Sequence, residues 1–143
     1  MTMRSVAGVA PSAEPFPPES PDISALLGDW LNTDRGAMPK GPLRLTLAPR
    51  GTGLAVRAFG STAAGGQPQD WGEVPAALYT APGSPSVASS FAAVYELDGV
   101  RTVLCAYYKT GILVATASSV PVDGGGRPGE WSRSFFHRLE ESA

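Results

Sequence analysis

The chain has almost no metal-binding chemistry to offer. It carries one histidine, His137, and one cysteine, Cys105, in 143 residues. A structural or catalytic metal needs three or four such donors converging on one point, so no metal and no cofactor is expected. A single cysteine cannot form an internal disulfide, and its apolar setting in "VLCAYY" reads as a buried, inert thiol. Lys and Arg number 11 against 13 Asp and Glu, a net charge of −2, and the basic residues never cluster. Without a positive stripe, nucleic acid is not an expected partner. No hydrophobic run approaches the roughly 20 residues of a membrane helix, and "MTMRSVAGVAPSAEPFPPES" lacks the apolar stretch of a signal peptide. A cytoplasmic protein without a membrane partner is the expectation. Ready-made catalytic constellations are missing too: no nucleophile–base pair or carboxylate pair assembles from the motifs. "GGQP" and "GGGRPG" lack the lysine and the strand–helix setting of a phosphate loop, and read as turns.

What is abundant is turn chemistry. Seventeen glycines and 14 prolines, in a chain that is 43% hydrophobic, point to one globular domain of many short elements. Residues 1–19, with "EPFPPES", read as an extended arm: a tail, or a lid that Phe16 anchors. The barrel domain then occupies residues 20–143. In "SPDISALLG" Ser20 suits an N-cap, Pro21 the first helical position and Gly28 the stop, which predicts a short helix whose Ile23, Leu26 and Leu27 plug a barrel end.

Beyond Gly28 the hydrophobic period becomes two. Strands are expected near 29–34, 42–49, 53–60, 73–80, 87–97, 100–109, 112–120 and 130–139. "LDGV" and "KTGI" place Asp98-Gly99 and Thr110-Gly111 as two-residue hairpin turns. With hairpins throughout and no crossover helix, the fold class is all-β: an eight-stranded antiparallel up-and-down barrel, closed to remove its edges. Such a barrel is either filled by side chains or holds one small ligand. One of the two faces of the later strands is persistently small, with Ala and Ser recurring along it. If that face is inward, it leaves room for a guest.

A short helix followed by Gly28-Asp29-Trp30 at the first strand, then a hairpin-rich meander, resembles the calycins, meaning lipocalins and avidin-like barrels. In that group a G-x-W motif closes one barrel end, and an Arg of the last strand packs on the Trp. Here "FFHRLE" supplies Arg138, so the resemblance implies that Gly28, Trp30 and Arg138 close the barrel, with a cation–π contact between the last two. The stretch "VRAFGSTAAGGQPQDWGEVPAALYT" is also similar to segments of small bacterial barrel proteins. In architecture alone the chain resembles spirotetronate-type cyclases, small barrels that fold a polyene substrate within the lumen.

Candidate chemistry follows from the strand positions. Tyr95 or Tyr108, as inward phenols, could polarise a carbonyl or donate a proton. Glu73, in "DWGE" beside the longest loop, could act as acid, base or acceptor, and Arg57 could bind a ligand anion. Phe59, Trp71, Tyr79, Phe91, Tyr107, Trp131 and Phe135 supply apolar surface for a guest. Each also has a plain reading as core, rim or solvated surface. Tyr107 and Tyr108, being adjacent, must face opposite sides. The expectation is a small, largely apolar organic molecule in the lumen. The reading leans to an enzyme that promotes cyclisation or isomerisation by restricting conformations, with a non-catalytic carrier as the alternative and a homodimer as a possible assembly.

Overall fold

The computed structural model describes residues 20–33, 41–60, 69–122 and 126–139. Eight strands follow one another: β1 (Gly28–Asn32), β2 (Pro42–Arg50), β3 (Gly53–Gly60), β4 (Gln69–Ala81), β5 (Ser84–Leu97), β6 (Val100–Lys109), β7 (Ile112–Pro121) and β8 (Glu130–Arg138). Each pairs antiparallel with the next, and β1 pairs with β8 to close an up-and-down barrel. Asp98 and Thr110 open the β5–β6 and β6–β7 turns at φ 54°, followed by Gly99 at 76° and Gly111 at 86°. Two successive positive φ values match the right-handed twist of the flanking strands.

The interior is set by strand parity, broken at register shifts on β2, β4 and β5, those on β4 and β5 changing which side chains face inward. On β6 the inward residues are Thr102, Leu104, Ala106 and Tyr108; on β5 they include Phe91, Ala93 and Tyr95. Simple alternation would send Trp71 outward with Glu73. Ala58 pairs with Gly72 but Phe59 with Asp70, so Trp71 is an extra residue. This bulge, with Gly72 at φ 94°, turns the indole into the core. A second shift, between Tyr79↔Ser90 and Thr80↔Ala88, makes Ala88 inward in place of Ser89. These bulges also hide the true starts of β4 and β5, which lie earlier than alternation suggests.

The expected helix over Ser20–Gly28 does not form; no helix occurs among the described residues. Instead the Asp22 amide donates to Ser86 O at 2.8 Å and the Ala88 amide to Asp22 O at 2.9 Å, an isolated parallel bridge to β5. The Asp22 carboxylate accepts the Ser24 amide at 2.9 Å, which holds it below its usual pKa. A backbone already committed to a strand, and a side chain that caps locally, outcompete a two-turn helix. One tight turn remains, Leu26 N to Ile23 O at 2.9 Å. It delivers Leu26, fully buried, as the plug the helix was meant to carry. The arm or lid of residues 1–19 lies outside the described residues.

At this closed end Trp30 pairs in register with Arg138, whose guanidinium carbon sits 4.4 Å above the indole. The Trp30 indole N–H donates to Leu26 O at 2.9 Å, and Arg138 Nη2 donates to Ala25 O at 2.6 Å. Tyr108 meets Trp30 edge-on at 6.2 Å. Gly28 is required twice over: its φ is 126°, and a Cβ there would lie 3.3 Å from Arg138 Nε.

Replacing the fully buried Trp30 by Ala should cost about 3–5 kcal/mol of stability. Thr110→Asn should gain about 1 kcal/mol, since a β-branched residue is strained at positive φ and Asn is not. Urea midpoints at unchanged slope would check both.

Candidate functional site

Whether the lumen has room depends on how side chains are distributed along its wall. Phe91 pairs with Ala106, Ala93 with Leu104, and Leu104 again with Ala117. Ala106 also pairs with Ala115 and Ala115 with Ser134, small beside small, yet the mid-barrel is filled by large side chains from several strands: Leu45, Val56, Phe91, Leu104 and Phe136 are all essentially inaccessible. The gap between Pro42, Leu104, Ala115 and Phe136 is too narrow for a water molecule. Inward alanines therefore do not hollow out the centre, because large side chains such as Leu104 and Phe136 occupy it.

The compensation lapses towards the end opposite Trp30. There Ala117 pairs with Ser132, small beside small, while Ser119 pairs with Glu130, whose side chain stands at the rim. A recess of about 400 Å³ opens over Ala117, Ser119 and Ser132, with Glu130 and Trp131 at its rim. Thr102 and Ser119 share a hydroxyl–hydroxyl hydrogen bond of 2.8 Å beside it. The volume lies within the roughly 300–1,000 Å³ of small-molecule sites. Its lining combines the Ala117 methyl with the hydroxyls of Ser119 and Ser132 and the carboxylate of Glu130, while Trp131, paired with Ser118 on the outer face of the strand, reaches only its rim. Ala117, Ser119, Glu130 and Ser132 were not singled out from sequence, although the persistent smallness of one face was their signal.

Of the residues expected to bind a guest, Trp131 borders the recess, 66% exposed. Phe91 and Trp71 are core residues: the Trp71 indole donates to Gly60 O at 3.2 Å and packs edge-on against Tyr95 at 5.4 Å. Tyr108 belongs to the closed end with Trp30. Tyr95 is inward, yet its hydroxyl lies 3.0 Å from Val56 O and 3.1 Å from Gly72 O, and ties β3 to the β4 bulge. Burial, helped by the nearby carboxylates of Asp70 and Glu73, pushes the phenol up to about 12. A group so held is a structural donor rather than an acid poised for neutral pH.

The remaining candidates are on the outer wall, a correction that follows from strand parity. Arg57 forms a two-pronged pair with Asp70, with Nε at 3.1 Å and Nη2 at 2.5 Å from Asp70 Oδ2. That contact, with the Gly72 amide, lowers the carboxylate pKa, and it raises the guanidinium's. Arg57 and Phe59 edge a shallow outer groove of about 200 Å³ together with Arg44 and Thr46. Glu73 faces Arg50 at 3.7 Å, outside the barrel. Tyr79, Tyr107 and Phe135 are exposed on one outer row, in which Tyr79 pairs with Ser90, Ser90 with Tyr107, Tyr107 with Val114 and Val114 with Phe135. Cys105 is likewise exposed, not buried. Among the described residues, no three metal-ligating side chains cluster and no helix is long and apolar enough to cross a membrane.

No family model, curated protein or solved structure matches this chain.

The raised Tyr95 pKa carries a stability consequence. The fold favours the protonated phenol, so its contribution is complete below the free tyrosine value near 10 and is lost as pH rises through about 12. Tyr95→Phe should flatten the pH dependence of stability in that window. At neutral pH it should cost about 1–3 kcal/mol, because buried carbonyls lose their donor. Denaturant titrations of both proteins from pH 8 to 12 would check this.

Proposed function

We propose that the chain is a binding protein for a small organic molecule with a largely apolar body and a hydroxyl or amino end, held in the barrel mouth. The observation that carries this reading is the recess over Ala117, Ser119 and Ser132. It opens at the barrel end opposite the plug formed by Leu26, Trp30 and Arg138. An apolar body would lie over the Ala117 methyl with Trp131 at the rim, and its polar end would reach the Ser119 and Ser132 hydroxyls beside Glu130. The Arg138–Trp30 stack beside Gly28 supports the calycin resemblance, a group in which one closed end and one open end frame a ligand site.

Binding is favoured over cyclisation because the groups suited to polarising a substrate are engaged elsewhere. Tyr95 is held by two carbonyls and Arg57 by Asp70 on the outer wall. In this reading the protein works in the cytoplasm, where an exposed free thiol such as Cys105 stays reduced.

N-phenyl-1-naphthylamine, an uncharged apolar fluorescent probe with an amino group, should bind saturably at one site per chain. Ser132→Trp, which fills the recess, should weaken it at least about tenfold, a loss of roughly 1.4 kcal/mol, with the melting temperature unchanged. Equal affinity in the variant would remove the mouth as the site. Native mass spectrometry of the freshly purified chain would then reveal any retained guest by its excess mass.

A further inference from the structure

Charges on the outer wall of β1–β4 do not alternate in sign. Across the strands, Asp29 stands on β1, Arg44 on β2, Arg57 on β3 and Asp70 on β4, with Arg44 facing Asp29 and Arg57 facing Asp70. The carboxylates lie outside and the two guanidiniums are neighbours in the middle. Ion pairs that served only to wet the wall would set opposite signs side by side, because like charges on adjacent strands repel.

Register fixes the geometry of this centre. Arg44 pairs with Phe59 and Thr46 with Arg57, so the guanidiniums rise from diagonal corners whose bases are roughly 7–8 Å apart. Between them lies the shallow groove of about 200 Å³, and its lining of Arg44, Thr46, Arg57 and Phe59 holds two cations and no carboxylate. Each arginine is braced by its own acid and keeps donors in reserve. Arg57 gives Nε and Nη2 to Asp70, whereas Arg44 only approaches Asp29, with Nη2 3.4 Å from Oδ2. Among the described residues, Nη1 of Arg57 and Nε and Nη1 of Arg44 make no hydrogen bond. Asp29 in turn is held by the Thr46 hydroxyl at 2.6 Å.

We propose that this groove is a second binding site, for a small monocarboxylate with a flat apolar body. A carboxylate taking one bond of roughly 2.8 Å from each guanidinium fits a gap of this width. Its body lies on the Phe59 ring, which is 43% exposed. The surroundings limit the charge: Asp29, Asp70 and Glu73 flank the groove, and Arg50 offsets only Glu73. One negative charge is accepted between the arginines, while a phosphate dianion or an acidic protein surface meets the flanking carboxylates. The groove is smaller than the roughly 300–1,000 Å³ of drug-sized sites, which suits a molecule of one or two rings. This inference does not depend on the mouth recess.

The test is a titration of the isotope-labelled full chain with 1-naphthoate, followed by amide chemical shifts. Saturable binding is expected, with the shifts centred on Thr46 and Phe59, and the neutral 1-naphthalenemethanol should bind at least about fivefold more weakly. Arg44→Gln should weaken naphthoate binding by a similar factor. Asp29→Asn frees Arg44 yet keeps an oxygen for Thr46, and should tighten binding about two- to fivefold, the range an exposed ion pair commands. A gain cannot come from misfolding, so this variant and the alcohol decide if Arg44→Gln does not fold. Ser132→Trp should leave naphthoate binding unchanged, which separates failure here from failure of the mouth. Equal affinity for acid and alcohol overturns the proposal, as does an Asp29→Asn affinity no higher than wild type. Shifts centred on Ser119 and Ser132 would place the probe in the mouth, and inorganic phosphate binding more tightly than naphthoate would make the groove a phosphate site. Either result rejects the monocarboxylate.

Discussion

The pairing of the short β1 with β8 is the constraint on which the rest of the structure depends. A meander of eight strands otherwise ends in two unpaired edges, each with a row of unsatisfied backbone groups. Five residues of β1 supply few ladder bonds, so the junction needs side-chain help. It has that help where Trp30 and Arg138 pair in register and stack, and each also reaches back to the Ser20–Leu27 segment through Leu26 O and Ala25 O. One cation–π contact, worth roughly 0.5–2 kcal/mol, thereby joins the first strand, the last strand and the entering chain. Closure follows from that meeting, and so does the blocking of one barrel end.

With one end blocked, the distribution of side-chain size decides where space remains. Large side chains from several strands fill the middle of the lumen. Towards the mouth Ala117, Ser119 and Ser132 stand as neighbours on β7 and β8, and the recess opens over them. The site is therefore a consequence of register.

The outer surface shows the same division of labour. Ion pairs decorate the side formed by β1–β4, where Arg44 and Arg57 meet carboxylates on neighbouring strands and Arg50 reaches past β3 to Glu73. These exposed pairs contribute little stability individually, but they keep that wall wetted. The wall of β5–β7 carries the Glu96–Arg101 pair and Lys109 towards its ends, and sets valines and tyrosine among small residues between them. Mouth and flat wall are thus separate features, made by opposite faces of some of the same strands.

Much of the fold was legible in the sequence because its signals are local. Alternation marks strands, and Asp98-Gly99 and Thr110-Gly111 mark turns that need positive φ. Gly28-Asp29-Trp30 with Arg138 marks closure. The Ser20–Gly28 helix was misread because the cap-like residues there serve a strand bridge and an Asx turn, which only the position of β5 reveals. Trp71 and Ala88 escaped alternation because a bulge reverses parity without leaving a signature in composition. The candidate site was legible only as a tendency to smallness: a recess is a relation between strands, and cross-strand register is not written in either strand alone. The chain by itself determined which residues form strands and where they turn. Tertiary structure decided which face is inward, which small residues meet, and hence where a guest has room.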